Sequence, residues 1–512
     1  MTLLAVPITA DETAAAAAEV RRAIAGGADA VELRVDRMGD ADPGAVAAAA
    51  GDAVVILTLR SAAEGGGWTA DESTRLALLE RLAPHADLID FELAAWRASP
   101  QVPEAIRRAA ARTRQGKLIL SSHDFTRRPT DLSATLEAMN AEPACDVAKV
   151  AFASEDITDN LDVFEIMRAS PKPVIAIVMG RAGIPSRVLA RKFRAFLSFT
   201  SLAADRASAP GQATLDEMTR LYRWDAIGPQ TAVYGVVGCP VAHSMSPAIH
   251  NAAFAEAGHD GVYLPMRVEP GAEAFDAWLD GCGERPWMHL GGLSVTIPHK
   301  ANALRWARAR GADVEPLAAK IGAVNTLAFD PAGSIRALNT DYAAALDALA
   351  EGMGCGRDGL AGLSVTVLGA GGVSRSIVAG LADCGCEVTI ANRTASRAQS
   401  LAAEFGCRVL DWDRRADLDA RVVVNCTSLG MWPDVEASPL PDGVLSPGMV
   451  VFDTVYNPIE TRLLAQAAAA GATRIDGVAM FVNQAVAQFE AWTRRPAPRT
   501  LMREVVTRAL AC

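Results

Sequence analysis

The run Lys117-Leu-Ile-Leu-Ser-Ser-His-Asp124, followed after a helical stretch by Val147-Ala-Lys-Val-Ala-Phe152, decides how the first half of the chain folds. Working outward, the same kind of short β-rich run recurs at Leu3 to Thr9, Ala30 to Asp36, Val54 to Arg60, Leu88 to Leu93, Pro173 to Gly180 and Phe196 to Leu202, which makes eight strands. Segments of helical periodicity such as Glu12 to Gly26 and Thr69 to Leu82 separate them. Strand/helix alternation implies parallel strands joined by right-handed crossovers. Eight such units in about 220 residues suit a (β/α)8 barrel, whose chemistry sits at the C-terminal ends of its strands.

The polar residues fall at those ends. Glu32 and Arg34 close the second strand, Arg60 the third, Glu92 the fourth and His123 the fifth; Lys149 sits within the sixth, Arg187 follows the seventh, and Ser208 to Gln212 follow the eighth. A lysine inside an apolar run is costly to bury without partners. It reads either as a structural ion pair or as a Schiff-base nucleophile. The second role needs a neutral amine, hence a pKa below the usual ~10.4 at ~1.36 kcal/mol per unit. Arg34, Arg60 and Arg187 would push it down while Glu32 and Glu64 oppose, so the sign stays open at this stage. A histidine beside Asp124 is most simply structural when alone; His123 and Lys149 on adjacent strand ends favour catalysis.

At 512 residues the chain exceeds one core, and three domains are expected. Half of it is hydrophobic but only 5% aromatic, and no run reaches the ~20 apolar residues of a membrane span. Met1 leads straight into the first strand without a basic or Arg/Ser-rich leader, so a cytoplasmic location is expected. The nine cysteines are scattered, with no CxxC or zinc spacing, and read as buried thiols; no metal is expected. A net charge of -11 argues against a nucleic-acid surface, and any anionic ligand must be held by a local basic cluster rather than by the global field. A monomer is mildly preferred.

Gly228-Pro229 marks a linker, and a new domain opens near residue 231. Residues 231–342 alternate strands and helices as one lobe; 343–476 form a second, nucleotide-type lobe, and 477–512 return to the first. Gly369-Ala370-Gly371-Gly372-Val-Ser-Arg375 follows the strand Val365 to Leu368 and precedes a helix, so its glycines would let a phosphate approach the helix N-terminus. The next strand ends in Ile390-Ala-Asn392-Arg393-Thr394. No acid stands there to hold a ribose hydroxyl, whereas Arg393 and Arg397 would meet a 2'-phosphate, which favours NADP over NAD.

Glu32-Leu-Arg-Val-Asp36, Thr58-Leu-Arg-Ser-Ala-Ala-Glu64, Ser122-His-Asp-Phe125, the Lys149 strand and Ser208-Ala-Pro-Gly-Gln212 resemble type I 3-dehydroquinate dehydratase. The resemblance implies that Lys149 forms an imine with the substrate ketone, that His123 removes the adjacent proton and later protonates the leaving hydroxyl, and that Glu64 orients His123. It further implies that Arg187 pairs with the substrate carboxylate, that Ser208 and Gln212 close over it, and that Glu32, Arg34 and Arg60 line the site.

Val241-Ala-His-Ser-Met-Ser-Pro247, Gly292-Leu-Ser-Val-Thr-Ile-Pro-His-Lys300, Gly322-Ala-Val-Asn-Thr326, Asn339-Thr-Asp341, Asn425-Cys-Thr-Ser-Leu-Gly-Met431, Asp453-Thr-Val-Tyr-Asn-Pro458 and Gly477-Val-Ala-Met-Phe-Val-Asn-Gln484 are similar to shikimate dehydrogenase. This implies that Lys300 and Asp341 handle the proton at the carbonyl that NADPH reduces, with lysine the donor. Ser244, Ser246, Asn325, Tyr456 and Gln484 would bind substrate carboxylate and hydroxyls, joined by Thr296 and Asn251. The glycine loop, Asn392, Arg393, Thr394, Arg397, Thr427, Met431 and Gly477 would fall to the cofactor. The product of the first reaction, 3-dehydroshikimate, is the substrate of the second. A bifunctional enzyme is therefore expected, against two alternatives: a ligand-sensing regulator built from the same domains, or an NAD-dependent quinate enzyme.

Overall fold

Eight runs rich in Val, Ile, Leu and Ala form the parallel strands β1 (Leu3–Ile8), β2 (Ala30–Arg34), β3 (Val54–Thr58), β4 (Leu88–Glu92), β5 (Lys117–Asp124), β6 (Val147–Ala153), β7 (Val174–Met179) and β8 (Leu197–Phe199). The computed structural model describes residues 2–203, 211–242 and 244–510. They fall into two units, Met1–His243 with Asp260–His289, and Ser244–His259 with Leu290–Cys512.

In the first unit the strands run in the order β7-β6-β5-β4-β3-β2-β1-β8. Phe196 N–H donates to the Val174 carbonyl at 2.8 Å, joining the two ends into a barrel. Strands buried on both faces read as continuous apolar runs. One inner layer, from Ala5, Ala30, Ile56, Leu88, Ile119, Val147, Ile175 and Leu197, fills the barrel so that no pore remains. The polar ends stand above it. The eighth strand is shorter than its apolar run suggests, because Ser201 leaves the ladder to exchange hydrogen bonds with Ala213 and Leu215.

The same unit holds the parallel pair β9 (Ala232–Gly238) and β10 (Gly261–Arg267), and a helix Ala272–Gly283. These pack on the barrel. Phe193 meets the edge of Trp287 at 5.3 Å, Arg168 lies over Trp287 at 4.1 Å, and Leu161 sits so close to Gly281 that a Cβ there would fall 2.4 Å from its methyl. Lys192 Nζ donates to the carbonyls of Pro229 (2.9 Å) and Thr231 (2.8 Å) and lies 3.0 Å from His289 Nδ1.

In the second unit, β11 (Leu290–Val295) pairs antiparallel with β13 (Thr326–Phe329), which pairs antiparallel with β14 (Ile335–Leu338); β14 is parallel to the short β12 (Asp313–Val314). A separate parallel sheet contains β15 (Ser364–Leu368), β16 (Glu387–Ala391), β17 (Arg408–Leu410), β18 (Val422–Asn425), β19 (Val450–Asp453) and β20 (Thr473–Ile475), in the order β17-β16-β15-β18-β19-β20. That is the Rossmann order, and its direction reverses between β15 and β18, where the crevice for a dinucleotide opens. The helix Gly477–Thr493 runs back to β11 and β13: Gln488 hydrogen-bonds Ser294 and Thr326, and Trp492 Nε1 donates to the Leu327 carbonyl.

Among the described residues no helix is long and apolar enough to cross a membrane, and no group of three or more His, Cys, Asp or Glu is arranged to hold a metal. The eight described cysteines are free, but only Cys145 and Cys282 are fully buried. The others lie half-buried at helix and strand ends, so the reading of all as buried thiols holds for two.

Candidate active sites

The barrel mouth gathers Glu32, Arg34, Arg60, Glu64, His123, Lys149, Arg187 and Gln212 around a pocket of about 480 Å³ including its opening. Lys149 Nζ, on β6, donates to Asp90 Oδ2 on β4 at 2.7 Å and lies 3.8 Å from Glu32. It also stands 4.5 Å above the Phe199 ring. Asp90 accepts in addition from Arg60 (2.7 Å) and Ser121 (2.6 Å). Burial alone would raise its carboxyl, but Arg60 and Lys149 hold it well below the usual carboxylate range. Breaking such a buried pair by removing one partner costs about 3–5 kcal/mol. Asp90 is thus a central member of the site to which the sequence reading gave no role. Its signal was the two-residue period of β4, which puts Asp90 and Glu92 on one face.

Glu92, whose part the sequence left open, accepts from Ser61 N–H at 2.7 Å and pairs with the fully buried Arg75 of the helix Glu72–Leu82. Arg75 also lies 4.4 Å over the Phe91 ring. Together they pin the loop after β3. That loop doubles back through Gly65, at φ 77°, and Gly66, where a Cβ would come within 2.0 Å of the Arg60 carbonyl. The return carries Glu64 to His123: Oε2 accepts from both the His123 backbone N–H (3.0 Å) and Nδ1 (2.9 Å). With Nδ1 engaged as a donor, Nε2 is left with its lone pair. Burial, with the charges of Arg60 and Lys149, holds His123 well below its ordinary 6.5. Burial pushes Glu64 up to about 7, although Arg60 pulls the other way.

Arg34 makes a two-pronged contact with Asp36 (3.0 and 2.8 Å), and Thr58 donates to Glu32 at 2.9 Å. Arg187 differs. It is 2% exposed, its one hydrogen bond is a long 3.5 Å contact to the Phe199 carbonyl, its Nε has no acceptor, and no carboxylate pairs with it among the described residues. Burial pulls it down to about 10. A desolvated guanidinium at a pocket wall is a site prepared for an anion. Gln212 lines the same pocket, while Ser208 lies outside the described residues.

In the second unit Lys300, the first residue of its helix, donates to Asp341 Oδ2 at 2.5 Å. Asp341 sits at the start of the helix Thr340–Met353, whose N-terminal dipole favours its charge. Asn339 caps that helix, accepting Asp341 N–H at 3.1 Å, and Asn325 Nδ2 donates to Asp341 Oδ1 at 2.8 Å. Ser244 Oγ accepts from Ser246 N–H at 3.2 Å where the helix Ser246–Glu256 begins, with Asn251 buried further along it. Thr296 is half-buried three residues before the buried His299. Tyr456 stacks on Phe481 at 4.7 Å, one helical turn from the half-buried Gln484. Among the described residues no hydrogen bond ties Ser244, Tyr456 or Gln484 to the Lys300 pair, so these frame the site separately.

The glycine loop joins β15 to the helix Gly372–Asp383. Gly369 has φ 110° and lies so close to the Cys426 carbonyl that a Cβ would fall 2.9 Å away, whereas a Cβ at Gly371 or Gly372 would meet nothing within 4 Å. The loop therefore has open space in front of a helix N-terminus, which fits a dinucleotide phosphate. Ala370 N–H donates to Asn392 Oδ1 at 3.0 Å, and Asn392 Nδ2 to the Thr394 carbonyl at 2.9 Å, fixing the turn after β16. Arg393 and Arg397 are exposed there without an ionic partner among the described residues, as a 2'-phosphate site requires. Thr427 donates to Asn425 at 2.7 Å, and Met431 is 46% exposed. Gly477 has a packing reason of its own, since a Cβ would come within 2.4 Å of the Val455 carbonyl.

Comparison with known proteins finds a family match for each half of the chain. The type I 3-dehydroquinase family matches residues 4–229, the shikimate dehydrogenase substrate binding domain 236–327, the shikimate/quinate 5-dehydrogenase family 355–428 and the shikimate 5'-dehydrogenase C-terminal domain 477–507. A chloroplastic bifunctional 3-dehydroquinate dehydratase/shikimate dehydrogenase of Arabidopsis thaliana is 36% identical over 99% of this chain and 84% of its own. A shikimate dehydrogenase (NADP(+)) of Methanosarcina barkeri is 40% identical over 54% of this chain and 98% of its own. A crystal structure of a shikimate dehydrogenase in complex with NADP+ superposes with a TM-score of 0.50 at 32% identity, covering 56% of this chain and 97% of that one. With one relative matched over 99% of this chain and 84% of its own length, and both halves matched separately, the chain belongs to the family of bifunctional 3-dehydroquinate dehydratase/shikimate dehydrogenases.

Proposed function

We propose that the chain performs its two reactions with Lys149, His123 and Glu64 in the barrel and with Lys300 and Asp341 in the second unit. The chain is a bifunctional enzyme of the shikimate pathway: it dehydrates 3-dehydroquinate to 3-dehydroshikimate and reduces that product to shikimate with NADPH. The observation that carries the first assignment is a lysine and a neutral histidine on adjacent strands facing one pocket, beside an arginine with no carboxylate partner among the described residues.

In the barrel, Arg187 takes the substrate carboxylate, and Arg34, Arg60 and Gln212 surround the ring hydroxyls. Lys149 attacks the ketone carbon once its amine has lost a proton to solvent, and Asp90, 2.7 Å from Nζ and held as the carboxylate, balances the positive charge that returns on the imine. Loss of water leaves the protonated imine. His123 Nε2 removes a proton from the adjacent carbon, and the electron pair moves into the ring as an enamine. The enamine then expels the hydroxyl, which leaves as water with the proton that His123 returns. Hydrolysis of the conjugated imine frees the product and Lys149. Glu64 holds the ring in the tautomer that keeps Nε2 basic.

In the second unit Ser244, Ser246, Asn325, Tyr456, Gln484 and Thr296 hold the product of the first step. NADPH, when bound by the glycine loop with Arg393, Thr394 and Arg397, supplies hydride to the carbonyl carbon. Lys300 gives the oxygen its proton, and Asp341 keeps the ammonium aimed.

We assign residues 1–225 to the dehydratase, 231–342 with 477–512 to the substrate lobe and 343–476 to the NADP lobe, and place the chain in the cytoplasm as a monomer. Light scattering tests the last point. Borohydride trapping with 3-dehydroquinate followed by peptide mapping tests the first site, and NADPH oxidation with 3-dehydroshikimate the second. An adduct on any residue other than Lys149 overturns the barrel assignment.

A further inference from the structure

We propose that Gln488 is a positioning residue for the reductase reaction, acting through Thr326 and Asn325 on Asp341 and so on Lys300. This rests on the roles given above to Lys300 and Asp341. The sequence pointed to Gln484; Gln488 lies one turn further along the same helix and is 1% exposed. Its Nε2 donates to Thr326 Oγ1 at 3.1 Å, and its Oε1 accepts from Ser294 Oγ at 2.8 Å. Thr326 Oγ1 donates to Asn325 Oδ1 at 2.8 Å, which also accepts the Thr340 backbone N–H at 2.8 Å. Asn325 Nδ2 then donates to Asp341 Oδ1 at 2.8 Å, and Asp341 Oδ2 accepts from Lys300 at 2.5 Å.

The direction of every link is forced by its neighbours. A carboxylate paired with an ammonium only accepts, so the Asn325 amide must turn Nδ2 towards it. The Thr340 N–H only donates, so Oδ1 must face that group. Thr326 has one hydroxyl proton, committed to Oδ1, and its remaining lone pair needs a donor. Gln488 Nε2 supplies it, which leaves Oε1 for the Ser294 hydroxyl. His250, fully buried on the neighbouring helix, is pushed down to about 3 by burial and stays neutral. Gln488 thus closes the far end of a chain that leads to the proton donor, holding Thr326, beside the Thr340 hydroxyl, in the orientation that Asn325 needs. A fully satisfied buried network of this kind holds one orientation, and a broken one admits several.

The test uses the whole chain with NADPH and 3-dehydroshikimate. Gln488→Met keeps the volume and removes both hydrogen bonds; Thr326→Val removes the next link. Each is expected to lower kcat about tenfold, with KM for NADPH within twofold and the dehydratase activity of the same chain unchanged. The double variant is expected to fall no further than either single one, and Thr326→Ser to recover the activity that Thr326→Val loses. A kcat within twofold of the parent in both single variants, or losses that multiply in the double, would overturn the proposal. Lys300→Met is run beside them: if it leaves kcat standing, the assignment of Lys300 fails first and the relay with it.

Discussion

Replacing Arg187 by Met should make the ligand-free protein more stable and the dehydratase much worse. Arg187 is buried without a counter-ion among the described residues, and burial takes it from 12.5 to about 10, a difference of 2.5. At ~1.36 kcal/mol per unit, the empty site carries an unpaired charge at a cost of about 3 kcal/mol. The sign is plain: the folded protein disfavours the cation relative to the unfolded chain, so the cost is fully present at every pH below 10 and disappears only as the pH rises through the range between the folded and unfolded values. Methionine fills much of the volume without the charge, and an apolar substitute for a buried charged group is often stabilising. Calorimetry of the ligand-free chain should show the transition of the first unit rising by about 5 °C. Losing the partner of a bound carboxylate should cost about 3 kcal/mol, or roughly 150-fold in kcat/KM for 3-dehydroquinate. A transition that falls by several degrees, with kcat/KM within threefold of the parent, would show that Arg187 serves the fold and that the unpaired-charge reasoning is wrong.

Lys149→Met should abolish borohydride trapping and lower the dehydratase rate by at least about 10³-fold, leaving NADPH-dependent reduction intact; both are read from one preparation. Glu64 titrates at about 7, so the carboxylate that orients His123 is present above that pH and lost below it. Dehydratase kcat should therefore drop as the pH is lowered through 7, and Glu64→Gln should remove that limb from the profile while lowering the plateau by about tenfold. Replacing Arg393 and Arg397 together by Ala should raise KM for NADPH by about 10- to 100-fold while leaving KM for NADH nearly unchanged, because only the 2'-phosphate loses its partners. Parallel changes with both cofactors would refute the phosphate role.

The barrel was legible because each of its strands is buried on both faces, which writes the strand as an apolar run with polar residues at one end. His123 and Lys149 could be brought together from sequence because adjacent parallel strands set their register. Asp90 was not found, since an acid within Leu88-Ile-Asp-Phe-Glu92 becomes meaningful only once the pleat turns it inward, 2.7 Å from Lys149. Arg75 was hidden for a different reason: on a helix with an ordinary polar face, nothing local says that one guanidinium crosses the wall of the barrel to reach Glu92. Gln484 and Gln488 share a helix face at a spacing of four, and the motif drew notice to Gln484 alone. Gly477 shows the converse, a motif position whose close contact with the Val455 carbonyl already accounts for glycine.

The packing of Trp287, Gly281 and Lys192 bears on how this fusion could be taken apart. The covalent joint between the enzymes lies near Gly228-Pro229, but residues 260–289, which belong by sequence to the second enzyme, are embedded against Phe193, Arg168 and Leu161 of the first. Scission at the joint would cut the thread and leave the seam. Expressing either gene fragment alone would uncover an aromatic face and strand the Lys192 ammonium without its carbonyl cage.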